Sequence, residues 1–354
     1  MKGLVLYGQG DVRIAEVPVP EIGDDDILLE VKACGICGSD LHTFYGVNPP
    51  MADKPVIMGH EFAGVIVKRG EKVSERWQVG DRVVSDNTGD ACGVCPSCEN
   101  GHFVACQNRK ILGCDMDGGF AKYVKIPGRI LQMFPNCLFH IPENLSFEEA
   151  TLMDPAANGY NAVVEQGEFK SGENIVVFGS GALGLMALQQ AVIAGAANAI
   201  LVGLTPDKVT RFEIGKKLGA THVFASDEDH DFIRKIHEIC GESGVALVVD
   251  AAGVPIITKQ AIQIVRNEGK IVRIGMSKRG YDESLDQFML KNVSLVGHMG
   301  YNAGAWRKTL NLAKTNKIDM KTIITGTLPL SRYQEGFDLV KSQKASKIIL
   351  IPED

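Results

Sequence analysis

Three glycines between an apolar strand and a helix constrain this sequence most. Gly179, Gly181 and Gly184 stand in the run Gly-Ser-Gly-Ala-Leu-Gly, after the predicted strand Asn174–Phe178 and at the start of a predicted helix, Leu183–Ala194. In this context the first glycine permits a tight turn, the second admits a pyrophosphate close to the backbone, and the third lets the helix pack on the strand. The helix N-terminus then faces the phosphate charge. The pattern predicts a dinucleotide site.

Strands and helices alternate beyond this run. Further strands are predicted at Ala199–Val202, Val245–Val249 and Lys270–Ile274, with a helix near Val209–Leu218. Such alternation favours βαβ units and a doubly wound parallel sheet with helices on both faces. We therefore expect an α/β fold in which residues 155–295 form a Rossmann dinucleotide-binding domain.

Residues 1–154 show a different pattern. Short strands such as Ile27–Val31, Ala63–Val67 and Arg82–Val84 are separated by Gly, Pro and Asp, and no long helical period occurs. A chain of 354 residues exceeds the roughly 100–200 expected of one domain. We expect an irregular, barrel-like β domain here, followed after the α/β region by a mixed segment, 296–354, with a last strand at Lys347–Ile351.

Four cysteines lie within 15 residues, at Cys92, Cys95, Cys98 and Cys106. Four thiolates at short spacing supply the closed tetrahedron of a structural zinc site. Iron–sulfur clusters also use closely spaced cysteines, but their usual spacings differ. We predict a structural zinc lobe at about residues 90–110.

A second group of metal-binding residue types lies on predicted loops at strand ends. Cys37 and His60-Glu61 together offer a thiolate, an imidazole and a carboxylate, which leaves a position open as catalytic zinc requires. Taken singly, a cysteine or a histidine is more often an ordinary core residue. Asp154, at the boundary between the two regions, offers a further carboxylate, and its alternative role is a turn or N-cap residue before Pro155.

Composition excludes several classes of function. Net charge is −6 and the pI is about 5.8, without a basic run, so we expect no nucleic-acid partner. No stretch approaches the ~20 apolar residues of a membrane span, and Met1–Gly8 do not resemble a secretory signal. The nine cysteines are odd in number and partly clustered, which favours metal binding in a cytoplasmic protein over a disulfide framework.

The acidic residue expected about 20 positions beyond the glycine run is absent, and Gly203 stands there. A carboxylate at this place bonds the ribose hydroxyls and repels a 2′-phosphate. Its loss admits NADP as well as NAD, because Lys208 or Arg211 would then be free to contact a phosphate. The alternative is that both are ordinary solvated helix charges.

Together these parts resemble the zinc-dependent medium-chain alcohol/polyol dehydrogenases, of the sorbitol and threonine dehydrogenase branch. The resemblance covers essentially the whole chain and is carried by the run from Gly59-His60-Glu61 to Gly64, with Gly70 and Val73 beyond, by the four-cysteine lobe and by the glycine run. It implies a GroES-like catalytic domain in residues 1–154, a Rossmann domain, and a C-terminal segment that returns to the catalytic domain. It also implies a homodimer or homotetramer, with edge strands of the Rossmann sheet in contact.

The resemblance assigns roles to individual residues. It implies that the catalytic zinc is held by Cys37 and His60, with Glu61 and Asp154 as the carboxylates, and that Ser39 and His42 form a proton relay. The coenzyme contacts that we expect are listed here: Gly179, Gly181, Leu183, Gly184, Gly203, Thr205, Lys208, Arg211, Gly275 and Met276. Polyol dehydrogenases often carry an arginine before a tyrosine near the returning strand, whereas here Gly300 precedes Tyr301.

The function that we expect is reversible oxidation of a secondary hydroxyl of a polyol or sugar-type substrate to a ketone, with zinc and NAD or NADP. Zinc lowers the pKa of the hydroxyl, the proton leaves through Ser39 and His42, and hydride passes to the nicotinamide. An L-threonine 3-dehydrogenase or a 2,3-butanediol-type dehydrogenase is the nearer alternative. A non-enzymatic dinucleotide-binding protein is the alternative from another class, and the open metal site argues against it.

Overall fold

The computed structural model describes residues 1–47, 52, 54–277 and 279–353. Asp354, where the expected C-terminal segment ends, lies outside the described residues. The N-terminal part contains ten short strands: β1 (Lys2–Gly8), β2 (Asp11–Glu16), β3 (Ile27–Gly35), β4 (Val56–Ile57), β5 (Glu61–Arg69), β6 (Arg82–Ser85), β7 (Thr88–Asp90), β8 (Lys110–Ile111), β9 (Tyr123–Ile126) and β10 (Leu138–His140). Its helices have at most seven residues: α1 (Gly38–Phe44), α2 (Pro96–Glu99), α3 (Gly128–Met133) and α4 (Phe147–Ala150).

The α/β part alternates strand and helix, as expected. Its elements are α5 (Met153–Tyr160), a π-helical turn (Asn161–Gln166), β11 (Asn174–Phe178), α6 (Ala182–Ile193), β12 (Asn198–Gly203), α7 (Arg211–Lys217), β13 (His222–Ala225), α8 (Phe232–Cys240), β14 (Val245–Asp250), α9 (Pro255–Ile264), β15 (Val265–Arg273), α10 (Asp286–Leu290) and β16 (Ser294–Gly297). After these come α11 (Ala303–Lys314), β17 (Ile324–Pro329), α12 (Tyr333–Lys341) and β18 (Lys347–Ile351).

The α/β strands form one six-stranded parallel sheet in the order β13-β12-β11-β14-β15-β16. Its central strands β11 and β14 are buried along their whole length, which is typical of a parallel sheet covered on both faces. The doubly wound fold class is therefore confirmed.

The N-terminal strands, together with β17 and β18 of the C-terminal segment, form a seven-stranded sheet, a three-stranded sheet and a two-stranded ribbon. The larger sheet has the order β10-β6-β5-β3-β18-β17, and β9 also pairs with β3. Strand β18 pairs antiparallel with β3, so the C-terminal segment returns to the N-terminal sheet. The ribbon joins β7 to β8 and carries the four-cysteine segment between its two strands.

One large cluster of buried side chains connects the two parts. It contains Ala33 and Ala63 from the N-terminal sheet together with Ile175 and Leu185 from the α/β part. Helix α5 contributes Met153, Ala156 and Ala157 to this cluster, and it packs closely on α6, since a Cβ atom at Gly159 would lie 2.8 Å from the backbone nitrogen of Ala187. Among the described residues, no helix has the length and apolar character needed to cross a membrane.

Candidate active site

The four cysteines of the lobe converge at the spacing of a metal tetrahedron. Sulfur–sulfur distances are 3.6 Å for Cys95–Cys98 and for Cys92–Cys106, and 3.9 Å for Cys92–Cys98. Zinc–sulfur bonds of about 2.3 Å place the sulfurs of a tetrahedron about 3.8 Å apart. The backbone N–H of Val94 lowers the pKa of Cys92 to about 6, which favours the thiolate that zinc needs. This donor set fits a structural zinc ion.

A second donor group lies at the edge of the N-terminal sheet. Ligand atoms of Cys37, His60 and Glu61 all lie within 4.8 Å of one another. Cys37 precedes α1, and His60 and Glu61 come where β5 begins, after a turn in which Gly59 has a φ of 93°. A thiolate, an imidazole and a carboxylate fit zinc in an open site.

Asp40 orients two of these donors, and our sequence analysis did not assign it a role. Its Oδ2 accepts a hydrogen bond of 2.9 Å from the backbone nitrogen of Cys37, and its Oδ1 lies 3.4 Å from Nδ1 of His60. Burial lowers the pKa of His60, but the negative charges of Asp40 and Cys37 outweigh it and hold the pKa well above its usual value. A metal cation would take the place of that proton. A carboxylate behind a ligating histidine is a common arrangement in metal sites.

Lys347 is the second residue that the sequence analysis missed. Its buried ammonium donates to Oε2 of Glu61 and, at 2.9 Å, to the backbone oxygen of Ile36. Burial raises the pKa of Glu61, while the positive charge of Lys347 opposes that shift. A lysine that opens an otherwise apolar strand is the signal that was available, since a buried lysine requires a partner.

Asp154 is not among the three donors that the structure groups together, and its role as a ligand of the catalytic zinc stays a prediction. Its Oδ2 accepts hydrogen bonds from Asn87 Nδ2 (2.7 Å) and the Tyr301 hydroxyl (2.6 Å). Its Oδ1 accepts a bond of 3.2 Å from Asn158 Nδ2. Asp154 lies near enough for its charge to raise the pKa of Glu61. It is therefore a neighbouring carboxylate that hydrogen bonds hold in place.

The predicted relay residues lie on α1, next to the donor group. Ser39 and His42 are three positions apart and so lie on one face of the helix. Ser39 is half-buried and His42 is exposed, an arrangement that leads from the site towards solvent. Their role in proton transfer stays a prediction.

The glycine run forms a cradle in which position 184 has no room for a side chain and the space beside Gly181 is open. Gly179 has a φ of 96°, and Gly181 precedes α6 as its N-cap residue. A Cβ atom at Gly184 would lie 1.8 Å from the backbone oxygen of Gly179. Within the described part of the chain, the buried Ser180 hydroxyl lacks a hydrogen-bond partner. Leu183 lies in the first turn of α6. The cradle and the free hydroxyl fit a pyrophosphate.

A second pair of glycines meets at the ends of the neighbouring strands. A Cβ atom at Gly275 would lie 2.3 Å from the backbone nitrogen of Gly253, whose φ is 77°. Asp250 holds this turn, since its Oδ1 accepts hydrogen bonds from the backbone nitrogens of Ala252 (3.1 Å) and Gly253 (2.6 Å). Met276 is 60% exposed beside it. Carboxyl ends of parallel strands are where such sheets bind ligands, and Gly253 is a residue that the sequence analysis missed.

Position 203 is a glycine because another carboxylate fills its side-chain space. The Oδ2 atom of Asp207 would lie 2.6 Å from a Cβ atom at Gly203. This oxygen accepts a hydrogen bond of 2.9 Å from the backbone nitrogen of Leu204. Asp207 is buried and pairs with Arg211 at 3.3 Å.

The structure gives Arg211 protein partners, and its contact with a coenzyme phosphate stays a prediction. Its guanidinium is buried and donates to the backbone oxygens of Val340 and Ala345 as well as to Asp207. Lys208 is exposed but lies 2.5 Å from a carboxylate oxygen of Glu228. Both residues follow β12 in the sequence. The pattern did not reveal their partners, which are Glu228 after β13 for Lys208 and the backbone oxygens of Val340 and Ala345 for Arg211.

The absent arginine at position 300 also has a structural reason. Gly300 has a φ of 69°, and a Cβ atom there would lie 2.4 Å from Cγ1 of Val104 in the four-cysteine lobe. A side chain at position 300 is thus excluded by conformation and by contact. The next residue, Tyr301, is buried, and burial raises its pKa well above its usual value, so its hydroxyl keeps its single proton.

Comparison with known proteins agrees with this geometry. The alcohol dehydrogenase GroES-like domain family matches residues 23–136, and the zinc-binding dehydrogenase family matches residues 182–315. A zinc-type alcohol dehydrogenase-like protein of Escherichia coli, YdjL, is 40% identical over 99% of this chain and 98% of its own. Sorbitol dehydrogenase of Halalkalibacterium halodurans is 32% identical over the full length of both chains. L-threonine 3-dehydrogenase of Bacillus velezensis is 31% identical over 96% of this chain and 95% of its own.

Solved structures extend the comparison. 2R,3R-butanediol dehydrogenase of Bacillus subtilis has a TM-score of 0.86 and 30% identity over 99% of both chains. A zinc-binding dehydrogenase of Sinorhizobium meliloti bound to NADP has a TM-score of 0.87 and 28% identity over 99% of both chains. The rspB alcohol dehydrogenase of E. coli, complexed with NADH, has a TM-score of 0.87 and 25% identity over 99% of both chains. The chain therefore belongs to the zinc-dependent medium-chain dehydrogenase family, as an oxidoreductase of small molecules that uses zinc and a nicotinamide coenzyme.

Proposed function

We propose that this enzyme reversibly oxidises a secondary hydroxyl of a polyol or sugar-type substrate to a ketone. The main observation in support is that one packed core connects the open zinc donor group with the pyrophosphate cradle. The cradle begins α6, α6 packs on α5, and α5 carries Asp154, whose charge acts on Glu61 of the donor group. This proximity suits hydride transfer between two ligands held by different parts of the chain.

Different residues of the chain carry different parts of the proposed reaction. When bound, zinc supplies the charge that lowers the pKa of the substrate hydroxyl, and the nicotinamide accepts the hydride. Cys37, His60 and Glu61 hold the zinc; Asp40 orients Cys37 and His60, and Lys347 orients Glu61. Ser39 and His42 take the released proton along α1 towards solvent.

Metal analysis can decide whether Glu61 or Asp154 is the carboxylate ligand of the catalytic zinc. Glu61 keeps one oxygen free of Lys347, and it lies within 4.8 Å of both other donors, which supports Glu61 as the ligand. Glu61→Gln should therefore be purified with one zinc ion per chain instead of two, whereas Asp154→Asn should be purified with two, although it should release the catalytic ion to a chelator faster than the unaltered protein. Metal content of purified variants decides it, and the reverse pattern would assign the ligand to Asp154.

The coenzyme that we propose is NAD. Asp227 accepts hydrogen bonds from the backbone nitrogen and the hydroxyl of Thr205, and Glu228 pairs with Lys208. Two carboxylates thus surround the corner in which a 2′-phosphate would lie, and Lys208 is already paired. Negative charge here repels a phosphate and favours a ribose with free hydroxyls.

An L-threonine 3-dehydrogenase or butanediol-type activity remains the second candidate. Gly300 offers no side chain for an additional substrate hydroxyl, which supports a smaller substrate. The experiment is nicotinamide reduction by the purified protein with polyols, sugars, L-threonine and 2,3-butanediol, each with NAD⁺ and NADP⁺. Turnover of a polyol with NAD⁺ supports the first proposal, and turnover of threonine or butanediol alone supports the second. No turnover at all with two zinc ions per chain would contradict both.

The apolar edge at β16 bears on assembly, and the state of the cysteines bears on location. Strand β16 is an edge strand, and Leu295 in it, with Met289, Leu290 and Met299 nearby in sequence, is large, apolar and exposed. We propose that two copies associate through this edge as a homodimer. None of the nine cysteines, all of which lie in the described part of the chain, is in a disulfide, which supports a reducing, cytoplasmic location.

A further inference from the structure

The two-stranded ribbon under the four-cysteine lobe connects the lobe to the active site. Thr88 of β7 lies opposite Ile111 of β8, and the backbone nitrogen of Leu112 donates to the oxygen of Asn87 at 2.9 Å. Asn87 therefore precedes one strand of the ribbon, and Arg109 precedes the other. The backbone nitrogen of Arg109 donates to the oxygen of Cys106 at 3.1 Å, so the last cysteine of the lobe sets its place.

Arg109 reaches from the lobe to the residues beside Asp154. Its guanidinium donates to Oδ1 of Asn87 at 2.7 Å and to Oγ1 of Thr88 at 3.1 and 3.3 Å. Both acceptors are buried. An arginine only donates hydrogen bonds, so the oxygen end of the Asn87 amide must face Arg109.

The orientation of the Asn87 amide decides which of its two groups faces the Asp154 carboxylate. With Oδ1 turned to Arg109, the amide presents Nδ2 to Oδ2 of Asp154 at 2.7 Å. If the amide turned over, its oxygen would meet the carboxylate and the two would repel. Asn87 also has a φ of 58°, a conformation that asparagine tolerates better than most residues.

A second contact from the lobe reaches the same carboxylate oxygen. Val104 packs where a side chain at position 300 would be, and the adjacent Tyr301 hydroxyl lies 2.6 Å from Oδ2 of Asp154. Two separate lobe residues therefore constrain one active-site carboxylate, Arg109 through Asn87 and Val104 through Gly300 and Tyr301.

We propose that Arg109 and Asn87 are positioning residues that hold the Asp154 carboxylate beside the catalytic metal, so that the four-cysteine lobe controls that site as well as its own loop. The inference rests on the proposed role of Asp154 next to the zinc. Residues that orient groups around a metal typically contribute ~10–100-fold to metal affinity or activity.

The test compares three variants of the zinc-loaded enzyme. Arg109→Gln is expected to lose the catalytic zinc to a chelator at least ~10-fold faster than the unaltered protein and to lower kcat by a similar factor, with KM for the coenzyme within about twofold. Arg109→Lys keeps a donor for Asn87 and should recover most of the zinc retention. Zinc per chain is followed with time, so this readout needs no substrate.

Arg129→Gln is the matched control. Arg129 holds the same ribbon, donating to the backbone oxygens of Ala91 and Cys92 at 3.0 and 3.4 Å, but within the described residues it has no hydrogen bond to Asn87. It should retain zinc like the unaltered protein. Equal loss in the Arg129 and Arg109 variants, equal loss in Arg109→Gln and Arg109→Lys, or unchanged retention in Arg109→Gln would each overturn the proposal. Failure of every substrate, with the expected zinc pattern, would contradict the proposed function and leave this inference intact.

Discussion

Substituting Gly300 tests how the four-cysteine lobe packs against the residue that precedes Tyr301. A residue other than glycine at a φ of 69° costs about 1 kcal/mol. The added Cβ atom would meet Cγ1 of Val104 at 2.4 Å, and overpacking of this kind costs about 1–3 kcal/mol. Gly300→Ala should therefore lower the free energy of unfolding by about 3 kcal/mol.

A double-mutant cycle separates the two causes. Val104→Ala removes two buried methyl groups and should cost about 2 kcal/mol by itself. In the double variant the methyl group introduced at position 300 enters the space that Val104 vacates, so the total should be about 3 rather than about 5 kcal/mol. Only the cost of the positive φ then remains at position 300, together with the imperfect repacking.

Urea unfolding followed by tryptophan fluorescence measures these values. Trp306 is a local reporter, since its ring lies 5.3 Å from that of Tyr301. Gly297→Ala is the control, because a Cβ atom there meets nothing within 4 Å. Strict additivity in the cycle, or a Gly300→Ala effect no larger than that of Gly297→Ala, would refute the reasoning.

Three further experiments test other parts of the structure. Burial lowers the pKa of His298 to about 4, so the folded state binds fewer protons than the unfolded state between that value and 6.5, and stability falls as pH falls. His298→Gln should remove about 2 kcal/mol of the stability loss between pH 7.5 and pH 5. Lys347→Met leaves the buried Glu61 carboxylate without its countercharge and should cost about 3 kcal/mol in urea unfolding, partly recovered with Glu61→Gln. Replacing Asp227 by Asn and Glu228 by Gln together should lower KM for NADP⁺ relative to NAD⁺, and an unchanged ratio in steady-state kinetics would contradict the proposed coenzyme corner.

The fold was predictable because its signals are local. The strand before the glycine run has the predicted bounds, Asn174–Phe178, and so does the last strand, Lys347–Ile351. Other strands are longer than predicted. Strand β3 continues from Val31 to Gly35 because it pairs there with β5 and, at its end, with β18. No pattern within β3 itself reveals those neighbours.

The donor groups were predictable for the same reason, and their supports were not. The cysteine spacing and the His60-Glu61 pair are visible in the sequence, whereas Lys347 reaches Glu61 across 286 positions. Asp154 and Arg211 each have hydrogen-bond partners that are far away in the sequence and that no local pattern reveals. Residue type and spacing indicate which groups bind a metal or a coenzyme, but only tertiary contacts decide which of them are already occupied.

The pairing of β18 with β3 has a consequence for synthesis of the chain. Leu350 lies opposite Cys34, and the Lys347 ammonium meets an oxygen of Ile36, 311 positions earlier. While a ribosome makes the α/β segment between β3 and β18, the parallel sheet of that segment can fold from contiguous sequence. The edge of β3 at Cys34 and Gly35, which later pairs with β18, stays unpaired during this time. An exposed strand edge invites pairing with other chains. The nascent enzyme is therefore most prone to aggregation before β18 emerges, and the catalytic zinc site gains its lysine only then.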